Sequence, residues 1–292
     1  MPIACTRIAS SLAAATLGIA AFLGTASAAG PAKVDDPSAA IPLAPHRAIY
    51  DLKLGQLRGK RALEAVRGRI VYDFAGNMCE GYDLRFRQVT ELDSGEGKSA
   101  LSDLRSTSWE EGGARSLRFG SENYLDRKLV DSVDGHADKR PDGVTVTLLK
   151  PKPKTTEIGT AVFPSEHMRR IIAAARAGER LLEVTVYDGS ENGDKVYQSL
   201  TVIGKKIAPS EHAPTDAAAG QAAFANLERW PVTISYFDRA QNGGGEQTPV
   251  YAISFEAYEN GVARALLLDY GDFTVAGNLT SLELKNAKPC EK

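Results

Sequence analysis

The chain has 292 residues and a formal net charge of −2, and 43% of its residues are hydrophobic. This length is sufficient for a well-formed core in one large domain or two smaller ones. Because 35 basic residues are balanced by 37 acidic ones and no basic run stands out, nucleic acid and anionic membrane surfaces are poor candidate partners.

Residues 1–28 show the three parts of a secretory signal peptide. Arg7 supplies positive charge, residues 8–24 are apolar and uncharged, and Ala26-Ser27-Ala28 provides the small residues that signal peptidase requires. A membrane anchor is the alternative, but the apolar run has about 17 residues and no basic stop-transfer flank follows it. We expect cleavage after Ala28, export to an oxidising compartment and no membrane span in the mature chain.

Two cysteines remain in the mature chain. Cleavage removes Cys5 and leaves Cys79 and Cys290. Such a pair in an exported protein usually forms a disulfide, because the compartment oxidises accessible thiols; two separate buried thiols are the alternative. Neither cysteine has a second cysteine or a histidine at zinc-ligand spacing. The sequence predicts a Cys79–Cys290 disulfide that ties down the C-terminus.

The remaining chain has the pattern of a mainly-β protein. Residues 29–45 are rich in Ala and Pro and are expected to form a flexible leader. From residue 46 apolar residues alternate, as in Ala48-Tyr50-Leu52-Leu54, which is typical of half-buried strands. The turn signals between the segments include Gly76-Asn77, Asp134-Gly135, Asp142-Gly143, Asn192-Gly193 and Asn260-Gly261. A single β-rich domain over residues 46–292 is predicted, with one antiparallel sheet curled into a barrel or sandwich.

One segment, residues 166–177, has the period of a helix instead. Its apolar stripe is formed by Met168, Ile171, Ile172 and Ala175. Ser165 is expected to cap the N-terminus, and Gly178 suits the left-handed position after the C-terminus. This main helix is predicted to pack against or plug the curled sheet. A weaker helical turn is expected within residues 217–227.

The polar residues of the helix are given a structural interpretation. Its arginines (Arg169, Arg170 and Arg176) are expected to form a solvated face rather than an anion site. His167, at the start of the helix, is interpreted as a hydrogen-bonded or surface histidine rather than a catalytic one.

No catalytic residue, metal ligand or cofactor is predicted. The sequence has no Gly-x-Ser-x-Gly elbow, and its four histidines lack metal-ligand spacing. Residues 188–194 imitate the first half of a calcium loop, but the twelfth position is Ser199 rather than Glu. A hairpin turn is therefore favoured there.

Several short blocks carry a resemblance to a known family. They are Leu43-Ala44-Pro45-His46-Arg47-Ala48-Ile49-Tyr50, Cys79-Glu80-Gly81-Tyr82, Phe163-Pro164-Ser165-Glu166-His167, Tyr187-Asp188-Gly189-Ser190, Trp230-Pro231-Val232-Thr233-Ile234-Ser235-Tyr236-Phe237-Asp238, Tyr258-Glu259-Asn260-Gly261 and Cys290. In this order they resemble the EipB-type cell-envelope integrity proteins, a periplasmic family of Gram-negative bacteria. The resemblance implies a long antiparallel sheet wound as a broken, spiral-like barrel with an associated helix, and a disulfide between the two matched cysteines. It implies a role in envelope integrity under stress and no known enzymatic chemistry.

Three functional hypotheses follow. The first is a non-enzymatic periplasmic scaffold or interaction module, whose partners are envelope components such as another periplasmic protein. The second is a carrier that holds a lipid or another apolar ligand inside the curled sheet; a peptide is a further candidate ligand. The third is a cell-wall hydrolase. The sequence identifies no ligand-binding residues.

The disulfide prediction can be tested on protein purified from the exported fraction. Under denaturing, non-reducing conditions it should contain no titratable thiol. The Cys290→Ser variant should melt about 5–10 °C lower, because the bond closes a very long loop and contributes at most roughly 5 kcal/mol. Two free thiols in natively exported protein would contradict the pairing.

Overall fold

The computed structural model describes residues 37–59, 63–95, 97–209, 211, 215–220, 222–241, 247–286 and 290. The expected signal peptide, residues 1–28, lies outside the described residues, as do residues 29–36 of the expected leader. None of the helices in the described part of the chain has the length and apolar character needed to cross a bilayer.

Within these ranges the fold consists of fourteen strands, one α-helix and four short 3₁₀ segments. The strands before the helix are β1 (His46–Leu57), β2 (Ala65–Asn77), β3 (Gly81–Asp93), β4 (Ser99–Glu110), β5 (Ser116–Leu125), β6 (Lys128–Arg140), β7 (Gly143–Lys150) and β8 (Lys154–Ile158). The helix α1 (Pro164–Arg176) is followed by β9 (Leu181–Val186), β10 (Tyr197–Ile203), β11 (Arg229–Asp238), β12 (Tyr251–Tyr258), β13 (Ala263–Asp269) and β14 (Phe273–Leu284). The 3₁₀ segments are Pro37–Ala40, Ala217–Gly220, Ala222–Phe224 and Arg239–Gln241.

All fourteen strands belong to one antiparallel sheet with the order β8-β7-β6-β5-β4-β3-β2-β1-β14-β13-β12-β11-β10-β9. Strands that follow one another in sequence are neighbours, except β8 and β9, and β1 pairs with β14 to join the two halves. The sheet ends at β8 and β9 and does not close into a barrel. Near this break Val162 makes one parallel bridge to Val186. The predicted fold, a mainly-β, broken barrel-like sheet with one main helix, is confirmed.

The helix is enclosed between distant parts of the sheet. On one side Ile171 packs with Trp230 and Phe255 of β11 and β12. On another side Ile172 packs with Phe74 and Tyr82 of β2 and β3. Strands so far apart in the sheet can contact one helix because the sheet curls around it. The predicted apolar stripe is confirmed, since Ile171 and Ile172 are each 1% exposed.

The helix ends as predicted but begins differently. At its C-terminus Gly178 has φ +78, and the backbone N–H of Glu179 donates to the carbonyl oxygen of Ala174 at 2.9 Å. This is a Schellman ending, in which glycine avoids the cost of a left-handed backbone. At the N-terminus the cap residue is Phe163. The prediction that Ser165 caps the helix was therefore wrong, because Ser165 lies inside the first turn.

Residues 37–45 of the expected leader are packed rather than flexible. Ile41 and Leu43 are buried in the same cluster as Ile172 of α1. The backbone N–H of Ala44 donates to the carbonyl oxygen of Asn260 at 2.8 Å. The Ala- and Pro-rich composition predicted a flexible segment, but Ile41 and Leu43 are apolar residues at alternate positions. Their burial holds the segment against the helix.

One predicted turn, Asp134-Gly135, lies inside a strand. Asp134 and Gly135 are part of β6 and pair with Lys150 and Leu148 of β7. A Cβ atom on Gly135 would lie 2.6 Å from the carbonyl oxygen of Thr147. Glycine is therefore used for a close approach between strands and not for a turn. The weak helical turn expected at residues 217–227 is present as the two 3₁₀ segments there.

Candidate functional site

A small internal pocket lies between the start of α1 and strands β1 to β4. It has a volume of about 220 Å³. Its lining includes Leu43, His46, Tyr72, Phe74, Tyr82 and Met168. Because apolar and aromatic side chains dominate, the pocket suits a small apolar group or a short part of an acyl chain.

The aromatic side chains of the internal pocket form a continuous series. The ring centroids of His46 and Tyr72 are 5.4 Å apart, and those of Phe74 and Tyr82 are 5.2 Å apart. These distances fall in the range of favourable aromatic contacts. Burial raises the pKa values of Tyr72 and Tyr82 and lowers that of His46. The wall is therefore uncharged at neutral pH.

The carboxylate of Glu110 caps the N-terminus of α1. Glu110 is the last residue of β4 and is 2% exposed. Its Oε2 accepts a hydrogen bond from the backbone N–H of Ser165 at 2.6 Å, and its Oε1 accepts one from that of Glu166 at 2.9 Å. Burial raises the pKa of Glu110, whereas these bonds and the charge of Arg169 act in the opposite direction. A carboxylate from the sheet thus performs the role expected of Ser165.

Ion pairs fix the first turn of the helix to β6. The buried carboxylate of Glu166 pairs with Lys139 of β6 and with Arg170, whose Nη2 lies 2.7 Å from Oε1. Its Oε2 also accepts a hydrogen bond from the backbone N–H of Phe163 at 3.4 Å. The side chain of Glu166 therefore links the backbone at the start of α1 to strand β6.

The three helix arginines do not share a solvated face. Arg169 is 3% exposed, and its Nη1 donates to the carbonyl oxygen of Gly112 at 2.8 Å. Arg170 is partly buried against Glu166, whereas Arg176 is exposed and pairs with Glu259 at 3.1 Å. The prediction was right for Arg176 and wrong for Arg169. Because the sheet encloses the helix on several sides, its polar stripe is also covered in part.

His167 is buried in the core beside Ser199. Its Nε2 lies 3.4 Å from the hydroxyl oxygen of Ser199, which itself donates to the carbonyl oxygen of Val184 at 3.0 Å. Ser199 is 0% exposed, so a substrate has no access to its hydroxyl. Burial and the charge of Arg170 lower the pKa of His167 to about 4. The hydrogen-bonded interpretation of His167 is confirmed, although the residue is not at the surface.

The calcium-like segment, residues 188–194, lies in the loop of the β9–β10 hairpin. Asp188 Oδ1 accepts from the backbone N–H of Ser190 at 2.9 Å, and Asn192 Oδ1 accepts from that of Asp194 at 3.1 Å. The acceptors thus stabilise local turns. Among the described residues, no group of three His, Cys, Asp or Glu side chains is arranged to hold a metal ion. The hairpin interpretation is confirmed.

The two predicted site cysteines lie next to each other. Cys79 is in the turn between β2 and β3, and Cys290 follows β14. Their Cα atoms are 5.7 Å apart, a separation compatible with a disulfide. Met78, the neighbour of Cys79, contacts Arg169 Nη1 through its sulfur at 2.9 Å. The cysteine pair therefore lies close to α1, the helix that the curled sheet encloses.

These features define a class of protein in which one long antiparallel sheet curls around an enclosed helix and leaves a small aromatic pocket beside it. A family model described as EipB-like matches residues 37–286, and the chain belongs to this family. The cell envelope integrity protein EipB of Brucella abortus (strain 2308) is 38% identical over 292 residues, which is 98% of this chain and 99% of that protein.

A solved structure from Brucella abortus shares this architecture. It is described as a beta-barrel-like protein of a domain of unknown function and is 36% identical to this chain, with a TM-score of 0.78. The match covers 85% of this chain and 100% of the other. The similarity therefore extends over the whole of that solved chain.

The burial of His167 generates a prediction about pH. Its pKa is about 6.5 in the unfolded chain and about 4 in the folded one, so the unfolded state binds more protons between these values. The contribution of His167 to stability should therefore fall as the pH drops through this range, by about 2 kcal/mol between pH 7 and pH 5. Urea unfolding of wild type and His167→Gln at both pH values measures the difference. Glu110, whose pKa is raised, acts in the opposite direction in both proteins.

His136 provides the matched control for this measurement. It is on β6 with a side chain that is 44% exposed. The His136→Gln variant should lose as much stability on acidification as the wild type, whereas His167→Gln should lose distinctly less. Equal acid sensitivity of all three proteins would show that His167 is not the group responsible.

Proposed function

We propose that this protein supports cell-envelope integrity under stress as a non-enzymatic periplasmic scaffold or interaction module. The observation that carries the proposal is the similarity, along almost the whole chain, to a protein named for cell-envelope integrity. The signal-peptide pattern and the disulfide-compatible cysteine pair support a periplasmic location.

The environment of the polar side chains supports a role in binding rather than in catalysis. The serine–histidine pair formed by Ser199 and His167 is closed off from solvent. The buried carboxylate of Glu110 accepts hydrogen bonds from backbone N–H groups. The buried carboxylate of Glu166 pairs with Lys139. These groups therefore hold the helix in the sheet, which is a structural task.

A second candidate function is the transport of an apolar ligand. It is favoured by the internal pocket, whose aromatic wall lies next to Met168 of the helix. Methionine adapts its shape readily to apolar ligands. If the protein is a carrier, the pocket is where a lipid chain or another apolar group binds.

Complementation of a strain that lacks the gene tests the proposal. The Ser199→Ala variant should restore resistance to detergent and β-lactam fully, because removing one buried hydroxyl costs little if it has no catalytic role. The abundance of each variant is measured by immunoblot, since stability alone changes abundance. A folded, normally abundant Ser199→Ala protein without activity would contradict the non-enzymatic proposal.

A pocket-filling variant separates the scaffold from the carrier. Ser108 lines the internal pocket, and Ser108→Leu reduces its volume. The scaffold predicts normal resistance for this variant at normal abundance, whereas the carrier predicts loss of resistance. Native mass spectrometry of the wild type adds a direct readout, because a stoichiometric apolar ligand would favour the carrier.

A further inference from the structure

The internal pocket has the size of a single aromatic ring system. Its volume is about 220 Å³. An apolar protein cavity of about 150 Å³ is large enough to bind benzene, whereas sites for drug-sized ligands begin at about 300 Å³. The pocket can therefore hold one ring or two fused rings but not a whole lipid. The inference below rests on the second candidate function, the carrier, and names its class of ligand.

One side of the pocket is formed by four aromatic rings, which we call the aromatic wall. In order they are His46, Tyr72, Phe74 and Tyr82. The angles between the planes of successive rings are 25°, 24° and 14°. A planar ligand can lie against such nearly parallel rings and gains aromatic contacts beyond the burial of its surface. A flexible acyl chain has no flat face with which to make these contacts.

Other parts of the chain close the pocket around this wall. Met168 lines the pocket from the helix, and its sulfur is suited to contact with an aromatic ligand. Leu43 and Gly261 line it from the segment before β1 and from the turn between β12 and β13. A Cβ atom on Gly261 would lie 2.7 Å from Cδ2 of Leu43, so glycine at this turn permits Leu43 to occupy its place. The pocket is thus bounded on several sides by well-packed residues.

The aromatic wall contains one hydrogen-bond acceptor that has no partner. His46 Nδ1 lies 2.7 Å from the carbonyl oxygen of Ala44. Because a carbonyl oxygen can only accept, Nδ1 carries the proton, and Nε2 of the neutral ring is left as an acceptor. Burial lowers the pKa of His46, which keeps the ring neutral.

The missing partner of His46 points to a property of the ligand. His46 is 3% exposed, and its Nε2 has no hydrogen-bond partner within the described part of the chain. Buried polar atoms are nearly always hydrogen-bonded. A ligand that fits this pocket should therefore bring an N–H or O–H donor.

We propose that the internal pocket binds a small planar aromatic molecule that carries one N–H or O–H donor, as indole and phenol do. The ring lies against the aromatic wall and Met168, and the donor bonds His46 Nε2. An acyl chain of a lipid is a poorer ligand, because it is too long for the pocket and has no donor for His46.

Calorimetric titration of the mature protein with indole tests the proposal. One indole molecule should bind per chain. Benzothiophene, which has the same bicyclic shape without a donor, is titrated in parallel. In His46→Phe, which keeps an aromatic ring but removes the acceptor, the affinity for indole should fall roughly 5–10-fold, the usual effect of one hydrogen bond. The affinity for benzothiophene should stay nearly the same, whereas a merely structural effect would weaken both ligands equally.

A matched pair of variants tests the location of binding. Ser108→Leu fills the internal pocket and should abolish binding of both ligands. Thr107→Leu makes a similar change at the next residue of β4, which is exposed and does not line the pocket, and it should bind both ligands like the wild type. Melting temperatures establish that the variants fold.

A measurement on the wild type requires no substitution. In protein labelled with ¹³C at the methionine methyl groups, the Met168 signal should shift on addition of indole because the ligand ring lies beside it. Met78 does not line the pocket, and its signal should stay in place.

Three outcomes would overturn the proposal. They are the absence of stoichiometric indole binding, equal weakening of indole and benzothiophene in His46→Phe, and indole binding that leaves the Met168 signal unchanged. A co-purified acyl chain found in the pocket would also contradict the aromatic ligand class, while supporting the carrier function. Loss of the carrier function itself would instead appear as normal resistance of the Ser108→Leu strain, whatever the purified protein binds.

Discussion

The carboxylate of Glu110 meets the first-turn N–H groups of α1 inside the curled sheet, and the placement of the helix depends on this contact. The N-terminus of a helix has unsatisfied donors and a partial positive charge, and here both are buried. Taking a carboxylate out of water is costly, which is why burial raises the pKa of Glu110. Hydrogen bonds to Ser165 and Glu166 offset that cost and join β4 to the helix.

Other features follow from the position of the helix. With α1 held inside, Ile171 and Ile172 can pack against different parts of the sheet. The helix lies in sequence between β8 and β9, the two edge strands of the sheet. The internal pocket remains between the helix start and β1 to β4 because Met168 and the aromatic side chains do not fill that space completely.

Local patterns in the sequence were sufficient to predict the strands and the helix, because alternation and helical periodicity each report which side of an element is buried. They could not identify the helix cap, since Glu110 and Ser165 are 55 residues apart and only the sheet topology joins them. An acidic residue at the end of an alternating strand was the available signal. Similarly, Arg169 was predicted to be solvent-exposed because the enclosure of the helix by the sheet cannot be inferred from the sequence of the helix. The burial of Ile41 and Leu43 was not predicted because the residues around them are rich in Ala and Pro.

The most direct test of the account is the free energy of unfolding of Glu110→Ala, combined with amide hydrogen exchange in α1. Removing the cap should lower the free energy of unfolding by about 2–4 kcal/mol, because two buried N–H groups lose their acceptor. Exchange at the first turn of α1 should accelerate more than exchange in the sheet. Glu111→Ala is the matched control, because Glu111 pairs with the exposed Arg115 and should cost about 1 kcal/mol or less. Equal losses for the two variants, with the α1 amides still protected in Glu110→Ala, would contradict the claim that this carboxylate holds the helix in the sheet.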